Sequence, residues 1–239
     1  MILTVDIGNT IIAVGGFEGD MLAFVVRLAT NIKETSHEYA AKLDSILRLS
    51  DTKTHSLTAA VISSVVPQLT GTIREALKIA FGIDALSVGP GVKTGINIHC
   101  DDPSSVGADL ICVSVAAAKK YGSPCIIVDM GTATKIIHLG KNGTFEGVAI
   151  LPGAEISLSA LADRTAQLPH IALTAPDSAI GKNTVDSMRS GAVFGAAAAV
   201  DGMIDRFFFE IGEALPIIIT GGLAGTVAHD ANVAGLLGG

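Results

Sequence analysis

The stretch ILTVDIGNT, residues 2–10, has a close counterpart in the second half of the chain, where residues 126–134 read IIVDMGTAT. In each copy a run of β-branched residues, typical of a buried strand, leads to an aspartate and then to a tight turn that contains glycine. The two aspartates, Asp6 and Asp129, lie 123 positions apart in a chain of 239 residues. This spacing indicates two copies of one structural unit.

A second pair of similar segments follows in the same order. TAAVISSVVP at 58–67 and PIIITGGLAG at 216–225 both read as buried strands ending in small residues. The second half is longer at this point, which places an insertion between about Gly143 and Ser190. Unrelated apolar strands followed by Asp and Gly would also look alike, but two matching pairs in one order favour duplication.

The remaining pattern predicts alternating strands and helices. The predicted strands cover 2–7, 11–17, 21–28, 58–66, 85–88, 125–129, 134–139, 144–150 and 216–220. The predicted helices cover 36–48, 68–81, 106–121, 155–163, 184–211 and 222–229. Three antiparallel strands followed by alternating helix and strand, twice over, indicate an α/β protein with mixed sheets.

Composition and charge exclude several classes of protein. The formal net charge of −7 argues against binding to nucleic acid, which needs a clustered positive surface. The three cysteines at 100, 112 and 125 form no CxxC pair, so neither a disulfide framework nor a structural zinc site is expected. The N-terminus lacks the basic region of a signal peptide, and Ala192–Val200 is too short to span a bilayer. A cytoplasmic protein that binds no membrane is therefore predicted.

Both aspartate turns have the composition of a phosphate-binding loop. In the first, Gly8 lets the backbone approach an anion, while Asn9 and Thr10 add neutral donors. The Asp6 carboxylate repels phosphate but can hold a divalent cation against it. One such loop could equally be a plain turn; a pair favours a nucleoside triphosphate site between the halves. The chain has neither a P-loop nor a Rossmann glycine motif.

Asp109 is a third candidate, in the sequence Gly-Ala-Asp-Leu at the start of an Ala-rich predicted helix. A carboxylate there can simply stabilise the helix N-terminus, and the pattern alone favours this role. The alternative is acceptance of a substrate hydroxyl proton during phosphoryl transfer.

Taken together, the motifs resemble those of the type III pantothenate kinases. They are DIGNT at 6–10, ISSVVPQLT at 62–70, VGPGVKTGI at 88–96, GAD at 107–109, DMGTAT at 129–134, LPG at 151–153, ADRTAQLP at 162–169, IGKNT at 180–184, SG at 190–191 and TGGLA at 220–224. The resemblance runs from residue 2 to about residue 226 with every motif in order.

The resemblance implies a fold and an activity. The family has two duplicated ribonuclease-H-like domains of the actin and sugar-kinase superfamily, with mixed five-stranded sheets around an ATP cleft. The expected domains are residues 1–120 and 121–239. Family members transfer phosphate from ATP to pantothenate, the first step of coenzyme A biosynthesis. They are homodimers, and they use Mg²⁺ and a monovalent cation, K⁺ or NH₄⁺.

The resemblance also implies roles for individual residues. Asp6 is expected to bind Mg²⁺, Asp129 to bind the monovalent cation, and Asp109 to accept the pantothenate hydroxyl proton. The expected ATP-binding residues are Asp6, Ile7, Gly8, Asn9, Thr10, Gly131, Thr132, Gly221 and Gly222. The expected pantothenate-binding residues are Cys100, Gly107, Ala108, Asp109, Leu110 and Thr184.

Several positions depart from the family pattern. Leu110 stands where the family usually has Arg, and Cys100 where it usually has Tyr, so the carboxylate of pantothenate loses an expected partner. Lys135 replaces the second residue of a usual Thr-Thr pair; its charge could lie near the phosphates or in solvent, and solvent is slightly favoured. The sequence after TGGLA is Ala- and Gly-rich, where the family normally continues with another strand and helix.

Two other functions stay open at this point. One is a regulatory or binding homologue without catalysis, favoured by the missing Arg but opposed by the retention of all three aspartates. The other is a kinase of the same superfamily that phosphorylates a different small hydroxyl compound, which an altered pocket at Cys100 and Leu110 would fit.

Overall fold

The computed structural model describes residues 1–49 and 57–227 in full and the backbone of 236–237. The strands are β1 Ile2–Ile7, β2 Ile11–Glu18, β3 Met21–Ala29, β4 Ala59–Ser64, β5 Leu86–Ser87, β6 Cys125–Met130, β7 Ala133–Leu139, β8 Phe145–Pro152, β9 Ile217–Thr220 and β10 Leu236–Leu237. The helices are α1 Ser36–Leu49, α2 Pro67–Phe81, α3 Ala108–Tyr121, α4 Ala154–Arg164, α5 Thr184–Ile211 and α6 Ala224–Val227.

The chain divides into two compact units, of which the first comprises Met1–Thr94 and Asp102–Val113. Its five-stranded sheet has the order β3-β2-β1-β4-β5. Strands β1, β2 and β3 are antiparallel, whereas β4 and β5 run parallel to β1. Alternate residues of β1, Leu3, Val5 and Ile7, are fully buried and pack with α1 and α2 in one core. This alternation is what a strand with one buried face requires.

The second unit comprises Gly95–Asp101 and Ser114–Gly239, and its sheet repeats that arrangement. Its order is β8-β7-β6-β9-β10, with β6, β7 and β8 antiparallel and β9 and β10 parallel to β6. The predicted α/β fold with two mixed five-stranded sheets is therefore confirmed. The boundary at 120/121 stays a prediction, because α3 is divided between the two units.

Extra chain in the second unit lies where the sequence placed an insertion. Between β8 and β9 the chain forms two helices, α4 and α5, whereas one helix, α1, separates β3 from β4. Helix α5 has the predicted bounds 184–211, because each end carries a strong signal. The Asn183 side chain accepts a hydrogen bond from the Asp186 amide at the start, and Gly212 adopts a left-handed conformation at the end.

Most other elements differ from their predicted bounds by one or two residues. Strand β4 is shorter than the predicted 58–66, since Pro67 begins α2 and Val66 already adopts the preceding cap position. The predicted helix 222–229 is found as Ala224–Val227, and residues 228–229 lie outside the described part of the chain. Among the described residues, no helix combines the length and the apolarity needed to cross a membrane.

Candidate active site

Asp6 is the second-last residue of β1, and its side chain is exposed. The parallel register sets Ser63 of β4 beside it, and the Ser63 hydroxyl donates a hydrogen bond to Asp6 Oδ1 over 2.9 Å. On the other side, the antiparallel register sets Ala13 of β2 opposite Asp6. A neutral hydroxyl thus orients the first carboxylate, and the cross-strand neighbour of Asp6 in β2 is an alanine.

The loop after Asp6 is fixed by Thr30, which directly follows β3. The Thr30 hydroxyl donates to the Gly8 carbonyl over 2.7 Å, and the Thr30 amide donates to the Thr10 carbonyl over 3.0 Å. The Gly8 amide itself closes the turn by donating to the Ile11 carbonyl. Both loop carbonyls are therefore held towards Thr30, which sets the orientation of the Gly8–Thr10 backbone.

Asp109 lies in the first turn of α3, and its carboxylate folds back over Gly107. A Cβ atom at position 107 would lie only 2.5 Å from Asp109 Oδ1. The same Cβ would be 3.9 Å from Val65 Cγ1, so Gly107 sits against the segment that leaves β4. The glycine therefore leaves the space that this carboxylate occupies.

The Cys112 thiol lies close enough to both Asp6 and Asp109, the two candidate carboxylates of the first unit, to feel their charges. Burial raises the pKa of the Cys112 thiol, a hydrogen bond with Ser63 lowers it in part, and the negative charges of Asp6 and Asp109 raise it further. The thiol therefore stays protonated beside both aspartates. Asp6, Ser63, Cys112 and Asp109 form one polar cluster at the ends of β1 and β4, which we call the carboxylate cluster.

The close approach at Gly107 gives a first prediction. Gly107→Ala should displace the Asp109 carboxylate. If Asp109 is the expected proton acceptor in phosphoryl transfer, kcat should fall about 100-fold, since a misplacement of about 1 Å can cost that much. The free energy of unfolding, measured by urea denaturation, should change by no more than about 1 kcal/mol.

Gly71→Ala is the matched control, because an added Cβ at Gly71, inside α2, meets no atom within 4 Å. This variant should keep its kcat and gain roughly 0.5–1 kcal/mol of stability. An unchanged kcat in Gly107→Ala would show that the position of Asp109 over Gly107 does not matter for turnover.

Asp129 holds the position in β6 that Asp6 holds in β1, but its surroundings differ. The antiparallel register sets Lys135 of β7 directly opposite Asp129, and the Lys135 ammonium lies 2.8 Å from Asp129 Oδ2. The two side chains keep only 19% and 20% of their surface exposed. The preference for a solvent-facing Lys135 is therefore wrong: the cross-strand register, which fixes the face of the sheet, brings the ammonium onto the carboxylate.

Backbone contacts hold the second loop, Met130–Thr132, from two directions. The Gly153 amide, just before α4, donates to the Thr132 carbonyl over 3.2 Å, and the Leu223 amide donates to the Met130 carbonyl over 2.9 Å. Gly221 packs so closely that an added Cβ would lie 2.5 Å from both the nitrogen and the oxygen of Met130. The predicted residues of this loop and Gly221 are thereby brought together within the second unit.

The other predicted residues occupy varied surroundings. Ala108 and Leu110 are buried, whereas Thr132, Thr184 and Gly222 are exposed. Burial and the negative charges of Asp101 and Glu146 raise the pKa of the Cys100 thiol. Their roles in binding stay predictions.

Sequence reasoning did not single out Ser63, Thr30, Cys112 or Gly153. Ser63 and Gly153 lie inside quoted motifs, but only strand pairing shows what they contact. The partner of Asp6 follows from the parallel register of β1 and β4, which joins segments 57 residues apart in the chain. That register leaves no local signal in the sequence.

The resemblance implies a Mg²⁺ site at Asp6 and a monovalent-cation site at Asp129, and the structure suits the first ion better than the second. No group of three or more His, Cys, Asp or Glu side chains arranged for a metal occurs among the described residues. Mg²⁺ is compatible with Asp6, because this ion is commonly held by one or two carboxylates plus substrate phosphates and water. A monovalent cation does not fit Asp129 in the same way, because the Lys135 ammonium already contacts that carboxylate.

Several solved structures share the fold of this chain. The chain is similar to a candidate 2-dehydro-3-deoxygalactonokinase from Sinorhizobium meliloti, with a TM-score of 0.58, 15% identity, and coverage of 99% of this chain and 91% of that one. It is also similar to the activator of 2-hydroxyisocaproyl-CoA dehydratase from Clostridium difficile, solved with bound ADPNP, with a TM-score of 0.56, 11% identity and coverage of 99% and 88%. At these identities the likeness shows a shared fold, which is the fold of these two proteins.

Sequence comparison identifies the family of this chain. The model of the type III pantothenate kinase family matches residues 2–206. A type III pantothenate kinase of Shouchella clausii is 42% identical over 233 residues, which cover 96% of this chain and 91% of the relative. The chain belongs to the type III pantothenate kinase family, a family of phosphotransferases.

Proposed function

We propose that this protein transfers the γ-phosphoryl group of ATP to pantothenate, forming 4'-phosphopantothenate and ADP, the first step of coenzyme A biosynthesis. The observation that carries the proposal is the family match along almost the whole chain, with an aspartate at each of the three motif positions. The carboxylate cluster supports the reaction type, since phosphoryl transfer needs mainly positioning and charge neutralisation.

In the proposed reaction, the pantothenate hydroxyl oxygen forms a bond to the γ-phosphorus while the bond from that phosphorus to the β–γ bridging oxygen breaks. ADP leaves with the electron pair of the broken bond, and the Asp109 carboxylate accepts the hydroxyl proton. Gly107 supports this role because it leaves room for the carboxylate. Cys112, held neutral beside both aspartates, adds no further negative charge to the site.

We assign Mg²⁺ to Asp6, with Ser63 orienting the carboxylate. Bound Mg²⁺ would neutralise phosphate charge, and Asp6 would hold it or its water shell. We further propose that Gly8–Thr10 and Gly131–Thr132 bind the ATP phosphates, and that Gly221 and Gly222 lie on the adenosine side. No step is assigned to a monovalent cation at Asp129, because that carboxylate contacts Lys135.

We assign Gly107, Ala108, Leu110, Cys100 and Thr184 to pantothenate binding. The Leu110 side chain cannot donate a hydrogen bond, so other groups must bind the substrate carboxylate. We therefore expect weaker binding of that carboxylate. We also propose a cytoplasmic homodimer. Phe209 supports an interface on α5, because 91% of its surface is exposed in the single chain.

A coupled assay of ADP release tests the proposal. The purified protein, with ATP and Mg²⁺, should release ADP when pantothenate is added. Pantothenol lacks the carboxylate. If the Leu110 position no longer binds that group, the rates of ADP release with pantothenol and with pantothenate should be similar.

The assay also separates the alternatives. Turnover of other small alcohols but not of pantothenate would indicate a superfamily kinase with a different substrate. Binding of ATP or pantothenate without turnover would indicate a regulatory homologue.

A further inference from the structure

The ion pair between Lys135 and Asp129 is the strongest feature that the proposed reaction leaves unused. Lys135 lies in β7, between β6 and β8, so its backbone is paired on both sides. Its ammonium contacts Asp129 Oδ2 at 2.8 Å, the length of a strong charge-assisted hydrogen bond. Since both side chains are about four-fifths buried, solvent and salt weaken this contact less than they weaken an exposed ion pair.

The duplicated fold supplies an internal comparison. Asp6 and Asp129 occupy matching positions in β1 and β6, and each is followed by a glycine-containing loop. The residue opposite Asp6 is Ala13, and the residue opposite Asp129 is Lys135. The cross-strand neighbour of the carboxylate is therefore an alanine in the first copy, whereas in the second copy it is a lysine whose ammonium contacts the carboxylate.

We propose that the Lys135 ammonium is the resident cation of the second phosphate loop, so that nucleotide binding and turnover need no monovalent metal ion. This inference rests on the proposed assignment of Gly131–Thr132 to the ATP phosphates. An ammonium group and K⁺ carry the same charge and are similar in size. K⁺ at Asp129 would have to displace a cation that is tethered to the chain, and a tethered group binds without the entropic cost of capturing a free ion.

The role assigned to Lys135 is positional: it neutralises Asp129 and so removes a negative charge that would repel the incoming triphosphate. A merely structural ion pair would stabilise the sheet without affecting the response to K⁺. The two roles therefore differ in a measurable way, namely in whether added K⁺ replaces a missing ammonium.

The test is a calorimetric titration of MgADP into the protein at constant ionic strength, in tetramethylammonium, K⁺ or NH₄⁺ chloride. Wild-type affinity should be the same in all three salts, within about twofold. Lys135→Met should lose about 10–100-fold in affinity in tetramethylammonium, the usual cost of removing a supporting partner. K⁺ should restore most of that loss, because the Asp129 carboxylate then has room for it.

Two further variants complete the design. Lys135→Arg keeps the charge and should stay indifferent to K⁺, while Lys141→Met removes an exposed lysine from the turn at the far end of β7 and should behave as wild type. If Lys135→Met fails to fold, as judged by thermal unfolding, the salt series on wild type and Lys135→Arg decides the question.

Three results would overturn the inference. They are a tenfold or greater K⁺ activation of the wild type, an unchanged affinity of Lys135→Met in tetramethylammonium, and a loss that K⁺ does not restore. Because ADP binding is measured without pantothenate, failure of the pantothenate assignment alone would leave these results interpretable. Failure of the wild type to bind any nucleotide would overturn both proposals.

Discussion

Asp109→Asn is expected to lower kcat by about 100- to 10,000-fold, the range that a positioned general base contributes. Asn has the same size and keeps an oxygen at the position of Oδ1 over Gly107, so the surrounding structure should be preserved. The amide cannot accept the hydroxyl proton, and the loss should therefore appear in kcat with little change in the KM for ATP.

The competing role of Asp109 as a helix cap predicts a different result. Loss of a carboxylate from the first turn of α3 would remove a favourable interaction with the helix dipole, about 0.3–1 kcal/mol of stability, and leave turnover unaffected. Measuring kcat and urea unfolding on the same preparation distinguishes the two roles. A kcat near the wild-type value, together with a small loss of stability, would reduce Asp109 to a cap.

Glu38→Gln provides the matched control for this experiment. Glu38 is also a first-turn carboxylate, at the start of α1, where it accepts hydrogen bonds from the Thr35 amide and hydroxyl. These bonds lower the pKa of the Glu38 carboxyl, the backbone bond contributing most. Its substitution should weaken the cap without changing kcat, so a common loss of activity in both variants would point to a general folding defect.

Gly221→Ala is expected to lower the free energy of unfolding by about 2–5 kcal/mol, from a strained backbone together with overpacking. Gly221 has φ +101, which residues with a side chain rarely adopt. Its added Cβ would also meet backbone atoms of Met130, which belong to β6, the middle strand of the sheet, and cannot move aside alone. Denaturant unfolding monitored by circular dichroism measures the change.

Gly212→Ala isolates the cost of the close contact. Gly212 ends α5 with φ +86, but an added Cβ there meets no atom within 4 Å. It should therefore cost only the conformational part, about 1 kcal/mol. If the two variants were equally stable, the contact between Gly221 and Met130 would not be a significant constraint on the second loop.

Much of the fold follows from local sequence patterns. Strands such as β1 and β6 show alternating burial or a long apolar run, and the ends of α5 carry an Asn cap and a terminal glycine, so these elements could be placed from the sequence. The duplication was visible because each half has a strand with a carboxylate near its end and a glycine just after it. The matching strand orders of the two sheets confirm it.

The candidate site was only partly predictable, for a physical reason. Asp6 and Asp129 could be singled out locally, but what each carboxylate contacts depends on strand register. Ser63 reaches Asp6 through a parallel pairing, and Lys135 reaches Asp129 through an antiparallel one. A shift by one residue would turn Lys135 to the other face of β7, where Ile136 lies in the buried core. The wrong preference for Lys135 therefore arose from treating the residue without its cross-strand partner.

Phosphorus-31 NMR of a mixture of the protein, ATP, Mg²⁺ and pantothenate tests the proposed function most directly. The expected result is the loss of the γ-phosphate signal of ATP and the growth of one phosphomonoester signal, coupled to the protons of the adjacent CH₂ group, in equal amount with ADP. A spectrum in which ATP stays intact, or yields only inorganic phosphate, would contradict the assignment of this chain as a pantothenate kinase.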